Sequence, residues 1–169
     1  TAVESLALTL LGEENPDEGK TVIVPGTYLS VTDPAGVNEW RVANGLEEID
    51  VEISEEPQAE DTGFTIAGVV FQDDQFMKTM VEGYQDAGED YGIEILTANT
   101  NNDQARETEL IQTYIAQGVD GIAIAPLSAE ASVANLREAA DQGIKVAVTN
   151  INLGDVSFLS GGYTSDDFT

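Results

Sequence analysis

From residue 64 onward, short solid apolar runs alternate with longer stretches in which apolar positions recur every three or four residues. "FTIAGVVF" (64–71) is continuously apolar, as expected of a strand buried on both faces. "DQFMKTMVEGYQDAGEDYG" follows with Phe76, Met80, Tyr84 and Ala87 on one stripe, which predicts a helix closed by Gly92. "IEILTA" is the next strand. "NNDQARETELIQTYIAQG" is a helix with Ala105, Leu110, Ile111 and Tyr114 inward, closed by Gly118. "VDGIAIAPL" is a strand, and "SAEASVANLREAADQG" is a helix that starts at the cap residue Ser128 and closes at Gly143. "IKVAVTNIN" and "VSFLSGG" are the last two strands. Such alternation predicts an open, mainly parallel α/β sheet, Rossmann-like, with helices on both faces. Five strands are expected over residues 64–160.

The first 63 residues are less regular. "TAVESLALTLLG" reads as a helix closed by Gly12, with Val3, Leu6, Leu10 and Leu11 near one face, and it should pack against the sheet. "EENPDEG" is a loop, and "TVIVPGTYLSVT" holds two short β-rich runs broken at Pro25-Gly26. A short helix is expected around Trp40. "LEEIDVEISEEPQAEDTG" mixes acids with Ile49, Val51 and Ile53; it reads as an acidic linker with some edge-strand character. The organisation predicted is a segment 1–46, a linker 47–63 and a lobe 64–169.

Composition narrows the chemistry. There are 32 acidic and 6 basic residues, a formal net charge of −26. Such a surface repels phosphate backbones and anionic membranes, which argues against a nucleic-acid partner. It also fits a high-salt setting, where screening makes so much like charge tolerable. With no cysteine there is neither a disulfide nor a thiolate metal site. With no histidine the commonest general base and neutral metal ligand are gone too, so no metal and no cofactor is expected. No apolar run reaches the length of a membrane span. Thr1 opens directly on an amphipathic pattern, which reads as a mature or trimmed chain.

Right-handed crossovers bring all strand C-termini to one edge, where open α/β sheets bind ligands. Four strand ends reach it, carrying Asp73, Asp74 and Phe76; Asn99, Thr100 and Asn101; Pro126 and Ser128; and Asn150 and Asn152. This edge is rich in carboxylate and amide, holds one aromatic and has no cation. Anionic ligands are disfavoured, and no glycine fingerprint for a dinucleotide or a P-loop follows any strand. A neutral polyol fits, its hydroxyls bonding to carboxylate and amide and its C–H face stacking on the ring. Plainer readings compete at each position. One of the two aspartates should simply cap the helix. Phe76 could be core, Asn150 could bond loop backbone, and Asn99 to Asn102 read as turn and cap residues. A response-regulator receiver also carries paired acids after its first strand. It needs a phosphorylatable Asp after the third strand, where this chain has Ala125-Pro126, and a Lys after a later strand, which is missing.

Residues 64–169 resemble the N-terminal lobe of the periplasmic sugar-binding proteins that feed ABC importers, a type I solute-binding fold. They are most similar to the galactose/glucose-binding type. "DDQFM" resembles that type's Asp-Asp-Asn-Phe-Met, and "NNDQARETELIQTYIAQGVDGIAI" resembles its second helix and third strand. Asn150 matches the asparagine that ends the fourth strand, where ribose binders usually carry Asp-Arg. The resemblance implies that Asp74 accepts from a sugar hydroxyl, Phe76 stacks on the ring and Asn150 bonds another hydroxyl, with Asp73 supporting or capping. Two departures are Gln75, where the type has Asn, and Ile151, where lysine is common; the second bears on which sugar is bound. "TAVESLALTLLGEENPDEGKTVIVPGTYLSVTDPAGVNEW" in turn looks like the C-terminal end of the same family, placed ahead of the N-terminal lobe as in a tandem or a circular permutant.

The resemblance implies a non-enzymatic binding module, periplasmic or at the cell surface, with or without a lipid anchor. Its partners would be a monosaccharide, an ABC permease and a second lobe or second binding-protein unit. That other lobe closes over the sugar by a hinge, so this chain should hold half a site. The alternatives are the sensor of a lactose-repressor-family regulator or a chemoreceptor-linked sugar sensor. A carboxylate glycosidase fits poorly, because Asp73 and Asp74 are adjacent and do not form an opposed acid/nucleophile pair.

Overall fold

The computed structural model describes residues 2–13, 15, 18, 19, 21–24, 38, 42, 43, 59–151 and 153–165. Residues 1–24 and 58–169 form one compact unit, and residues 25–57 form a second. In the second unit Asn38, Val42 and Ala43 are helical. Trp40, the second β-rich run of 21–32 and most of the acidic linker lie outside the described residues.

The first unit runs α1 (Ala2–Leu11), β1 (Thr21–Val24), β2 (Thr65–Val70), α2 (Gln75–Tyr91), β3 (Glu94–Asn99), α3 (Gln104–Gln117), β4 (Gly121–Ile124), α4 (Ala129–Asp141), β5 (Lys145–Thr149) and β6 (Gly161–Ser165). All six strands pair in parallel, in the order β1-β6-β5-β4-β2-β3. Order reverses at β2: the chain moves outward to β3, then returns past β2 to β4. Successive turns therefore diverge between β2 and β4, the switch point of a doubly wound sheet. The expected parallel α/β architecture is present, and β1 from the N-terminal segment adds a strand to it.

The two faces of the sheet are built differently. On one face Ala67, Val69, Ile122, Ile124, Val146 and Val148 meet Ile111 and Tyr114 of α3 and Leu136 and Ala139 of α4. On the other, small residues predominate in the central strands: Ala123, Ala125 and Ala147 meet Val3 and Leu6 of α1 and Met77 and Tyr84 of α2. Small side chains let those helices approach closely. A Cβ on Gly68 would come 2.7 Å from Cδ2 of Tyr84, so this mid-strand glycine makes room for the ring. Gly92 is required twice over. It closes α2 at φ 63, and a Cβ there would meet Glu60 O at 2.2 Å.

Several expectations need correction. The last strand is Gly161–Ser165, not 156–162. Residues 153–160 are a connection whose Leu153 and Leu159 are buried against α4's side of the core, so their apolar character reflects packing and not pairing. Arg137 holds this connection from α4, bonding Asp155 at 2.6 Å with its guanidinium 4.7 Å from the centre of the Phe158 ring. In α1 the buried set is Ala2, Val3, Ser5, Leu6 and Ala7, and Leu11 is exposed. In α3 Ala105 is exposed, and the inward face is Glu107, Ile111 and Tyr114.

Candidate functional site

The β2–α2 turn lies at the switch point. Asp74 is the N-cap of α2, with extended backbone at φ −110 and ψ 176. Its Oδ1 accepts from Met77 N at 2.8 Å, and its Oδ2 accepts from the Gln72 amide. The cap is thus Asp74 and not Asp73. Asp73 instead pairs with Lys78 at 3.1 Å on the exposed flank. The register explains the exchange: with α2 starting at Gln75, only Asp74 stands where a side chain can reach the N–H three residues on. Phe76 is 59% exposed, so it is not core; Met77, 1% exposed, takes the inward position of the first turn.

The neighbouring β3–α3 turn is closed on itself. Asn99 Oδ1 accepts from Asn101 N at 2.8 Å, and Arg106 Nε donates to Asn99 O at 2.9 Å. Asn101 and Asn102 hold φ 52 and 59, the left-handed region that asparagine tolerates. Asp103 caps α3 by accepting from Ala105 N and Arg106 N. At the end of β4, Ser128 caps α4 by accepting from Ala131 N at 3.2 Å.

Beneath these turns lies a buried carboxylate that hydropathy reading overlooks. Glu107 is fully buried. Its Oε2 accepts from Leu127 N at 2.8 Å, and its Oε1 accepts from Gln104 Nε2 at 2.8 Å and from the Ser132 hydroxyl. Three donors compensate its desolvation, and together they tie α3 to the β4–α4 turn. The available signal is positional: 107, 111 and 114 share one helix face, and position 107 is charged.

At the end of β5, Asn150 is exposed with φ 66, and its N–H donates to Tyr163 O at 2.8 Å. Thr149, just before it, shares a 3.2 Å hydrogen bond with the hydroxyl of Tyr84. Burial pushes the Tyr84 phenol up to about 12, against the opposing pull of that bond, so the hydroxyl keeps its proton. Asn152 lies outside the described residues.

Asp74, Phe76 and Asn150 therefore stand on two turns of one sheet edge, as an open surface. Two hollows lie elsewhere. One, of about 750 Å³, sits at the opposite edge among Asp61, Gly63, Phe64, Gly92 and Glu94. The other, of about 500 Å³, runs along α2 and β3 and takes in Asp73 and Lys78. Among the described residues no cluster of acids is arranged to hold a metal ion. No helix there is long and apolar enough to cross a membrane.

Residues 66–161 match the family model described as periplasmic binding protein domain. The chain belongs to that family. A Rhizobium meliloti protein named for rhizopine binding is 33% identical over 99 residues, 58% of this chain and 31% of the relative. The solved 5-methylthioribose transporter solute-binding protein of Thermotoga lettingae, in complex with 5-methylthioribose, is 28% identical at a TM-score of 0.52, covering 55% of this chain and 30% of that one. A galactofuranose-binding protein is 26% identical at a TM-score of 0.55, covering 61% and 36%. The chain spans about a third of the length of these periplasmic-binding-protein relatives. The part shared with the family model is the doubly wound section from β2 to the start of β6, with α1 and β1 outside it.

Proposed function

We propose that this chain carries the sugar-recognition lobe of an extracytoplasmic solute-binding protein that delivers a monosaccharide to an ABC importer. One observation carries the reading: at the switch point an exposed aromatic, Phe76, follows a carboxylate, Asp74, across the edge from an exposed amide, Asn150. Asp74 caps its helix through Oδ1, and its oxygens keep lone pairs for a hydroxyl. In this reading Asp74 accepts from the sugar, Phe76 stacks on its ring and Asn150 bonds a second hydroxyl. Asp73, paired with Lys78 beside the flank hollow, supports the turn. Two of the solved relatives named above are described with sugar ligands, 5-methylthioribose and galactofuranose, which supports the class. Within that class "DDQFM" and Asn150 favour a pyranose of the glucose/galactose type, and the named galactofuranose binder makes a five-membered ring the competing choice. Segment 1–46 is read as a displaced C-terminal end of the same family, joined by the linker 47–63 to the lobe 64–169.

Calorimetry with glucose, galactose, ribose and myo-inositol tests this on the full-length protein and on this chain alone. The full-length protein should bind one of them tightly. The chain alone should bind weakly, because a second lobe supplies half the contacts and excludes water on closure. Equal affinity in both would place the ligand contacts within this chain alone and reject the half-site; binding of none would reject the sugar.

A further inference from the structure

We propose that the Tyr84 hydroxyl is a positioning residue for the ligand edge: through Thr149 it fixes the end of β5 that presents Asn150, a role that rests on the sugar-lobe reading above. Thr149 Oγ1 has three polar neighbours: the Tyr84 hydroxyl at 3.2 Å, Met80 Sδ at 3.3 Å and Ile124 O at 3.4 Å. The two hydroxyls bond each other, either able to donate, and Thr149 Oγ1 also lies within reach of Ile124 O, on the last residue of β4.

The tie is specific in its construction. Tyr84 is 3% exposed and its ring fits only because residue 68 of β2 has no side chain. The phenol then bonds a threonine on β5, within a core it shares with Ala123 and Ala125. A core of this kind could be filled by phenylalanine or leucine without a polar group. A hydroxyl placed here instead bridges two elements that carry candidate contacts. Phe76, Met80 and Tyr84 are spaced i, i+4, i+8 along α2, from the exposed rim to the core. Thr149 touches the lower two and is followed directly by Asn150. Asn150 holds left-handed backbone at φ 66, a conformation that asparagine tolerates. Two bonds hold this stretch: Asn150 N to Tyr163 O on β6, and the bond between Thr149 and Tyr84 of α2. The same helix thus sets the height of the stacking ring and the position of the amide, which fixes the spacing a ligand must match.

The test is made on the full-length protein with Tyr84→Phe, which keeps the ring, and Thr149→Val, which removes the partner hydroxyl. Hydrogen exchange at the Asn150 N–H of the ligand-free protein should quicken about 3- to 10-fold in both variants, the scale of one net hydrogen bond. Exchange at Ile122, on β4, should stay unchanged. Affinity for whichever of the four sugars binds should fall by a similar factor, and Tyr84→Phe should have no further effect on affinity in an Asn150→Ala background. Unchanged exchange at Asn150 overturns the proposal, as does faster exchange with full sugar affinity. Faster exchange in a protein that binds none of the sugars keeps the tie and removes the sugar reading.

Discussion

The β2–α2 and β3–α3 turns leave the same edge of the sheet from adjacent strands, and each ends on an aspartate N-cap. In the second, the polar side chains serve the turn itself: Asn99 holds Asn101, Arg106 holds Asn99, and Asp103 holds two helix N–H groups. It is even tied to the first turn, since Asn102 N donates to Phe71 O at 2.7 Å. In the first, Asp74 serves the helix, yet it is exposed beside an aromatic ring that is mostly in water. A capping carboxylate is thus an ordinary helix start and becomes a site only with what stands next to it. An exposed phenylalanine sacrifices burial worth roughly 1.5–3 kcal/mol. The second turn makes no such sacrifice.

The comparison breaks if second-turn changes alter binding or first-turn changes alter only stability. The largest effect is expected behind the second turn, where Glu107→Ala strands the Leu127 N–H and should cost roughly 2–4 kcal/mol in urea unfolding. Next is Asp74→Ala in the full-length protein. Loss of a charged acceptor from a desolvated site should weaken sugar binding by about 1.5–3 kcal/mol, tenfold or more. Because Asp74 is also the cap, the same variant should lose about 1 kcal/mol of stability. Asp74→Ser separates the two, keeping a capping oxygen while removing the charge, so it should melt like the parent and still bind weakly. Asp73→Ala removes an exposed pair worth about 0–1 kcal/mol and should spare affinity. Asp103→Ala should cost about 1 kcal/mol and leave sugar titrations unchanged. If Asp73→Ala abolishes binding instead, the wrong member of the pair has been assigned to the ligand.

What the sequence disclosed follows its local signals. The alternation from residue 64, the caps at Gly92, Gly118 and Ser128, and the turn character of Asn99 to Asn102 are all set by neighbours a few residues apart. Three features were not legible. β6 is Gly-Gly-Tyr-Thr-Ser, with no apolar run, and is a strand because β5 and β1 flank it. Leu153 and Leu159 look like strand residues and serve a loop. Glu107 looks like surface and is core, because its compensating donors come from residues 104, 127 and 132. Which aspartate caps α2 depended on a helix start that hydropathy locates only to within a residue or two.

Two weaker tests concern charge rather than the turns' ligand contacts. With −26 formal charge, self-repulsion should exceed the attraction of exposed pairs such as Asp73–Lys78, so the thermal midpoint should rise as salt is added. A flat or falling midpoint would remove the high-salt reading and give the surface pairs more weight than the comparison allows.

The smallest effect is expected at the 153–160 connection, which has a carboxylate of neither turn's kind. Asp155 accepts from the hydroxyl and N–H of Ser157 and from Arg137, and these bonds lower its pKa from 3.8 to about 2. The unfolded chain therefore holds that proton more tightly than the folded one. The contribution of Asp155 to stability is fully present above about pH 4 and is lost as pH falls through about 2. Acid unfolding of Asp155→Asn beside the parent is the measurement. Their difference in stability should be constant from pH 5 to 7 on the order of a surface contact, then shrink toward zero in acid. A difference that persisted near pH 2 would assign the hold on this connection to the Arg137–Phe158 stack and to the geometry of the Ser157 turn, with the charge of Asp155 contributing nothing.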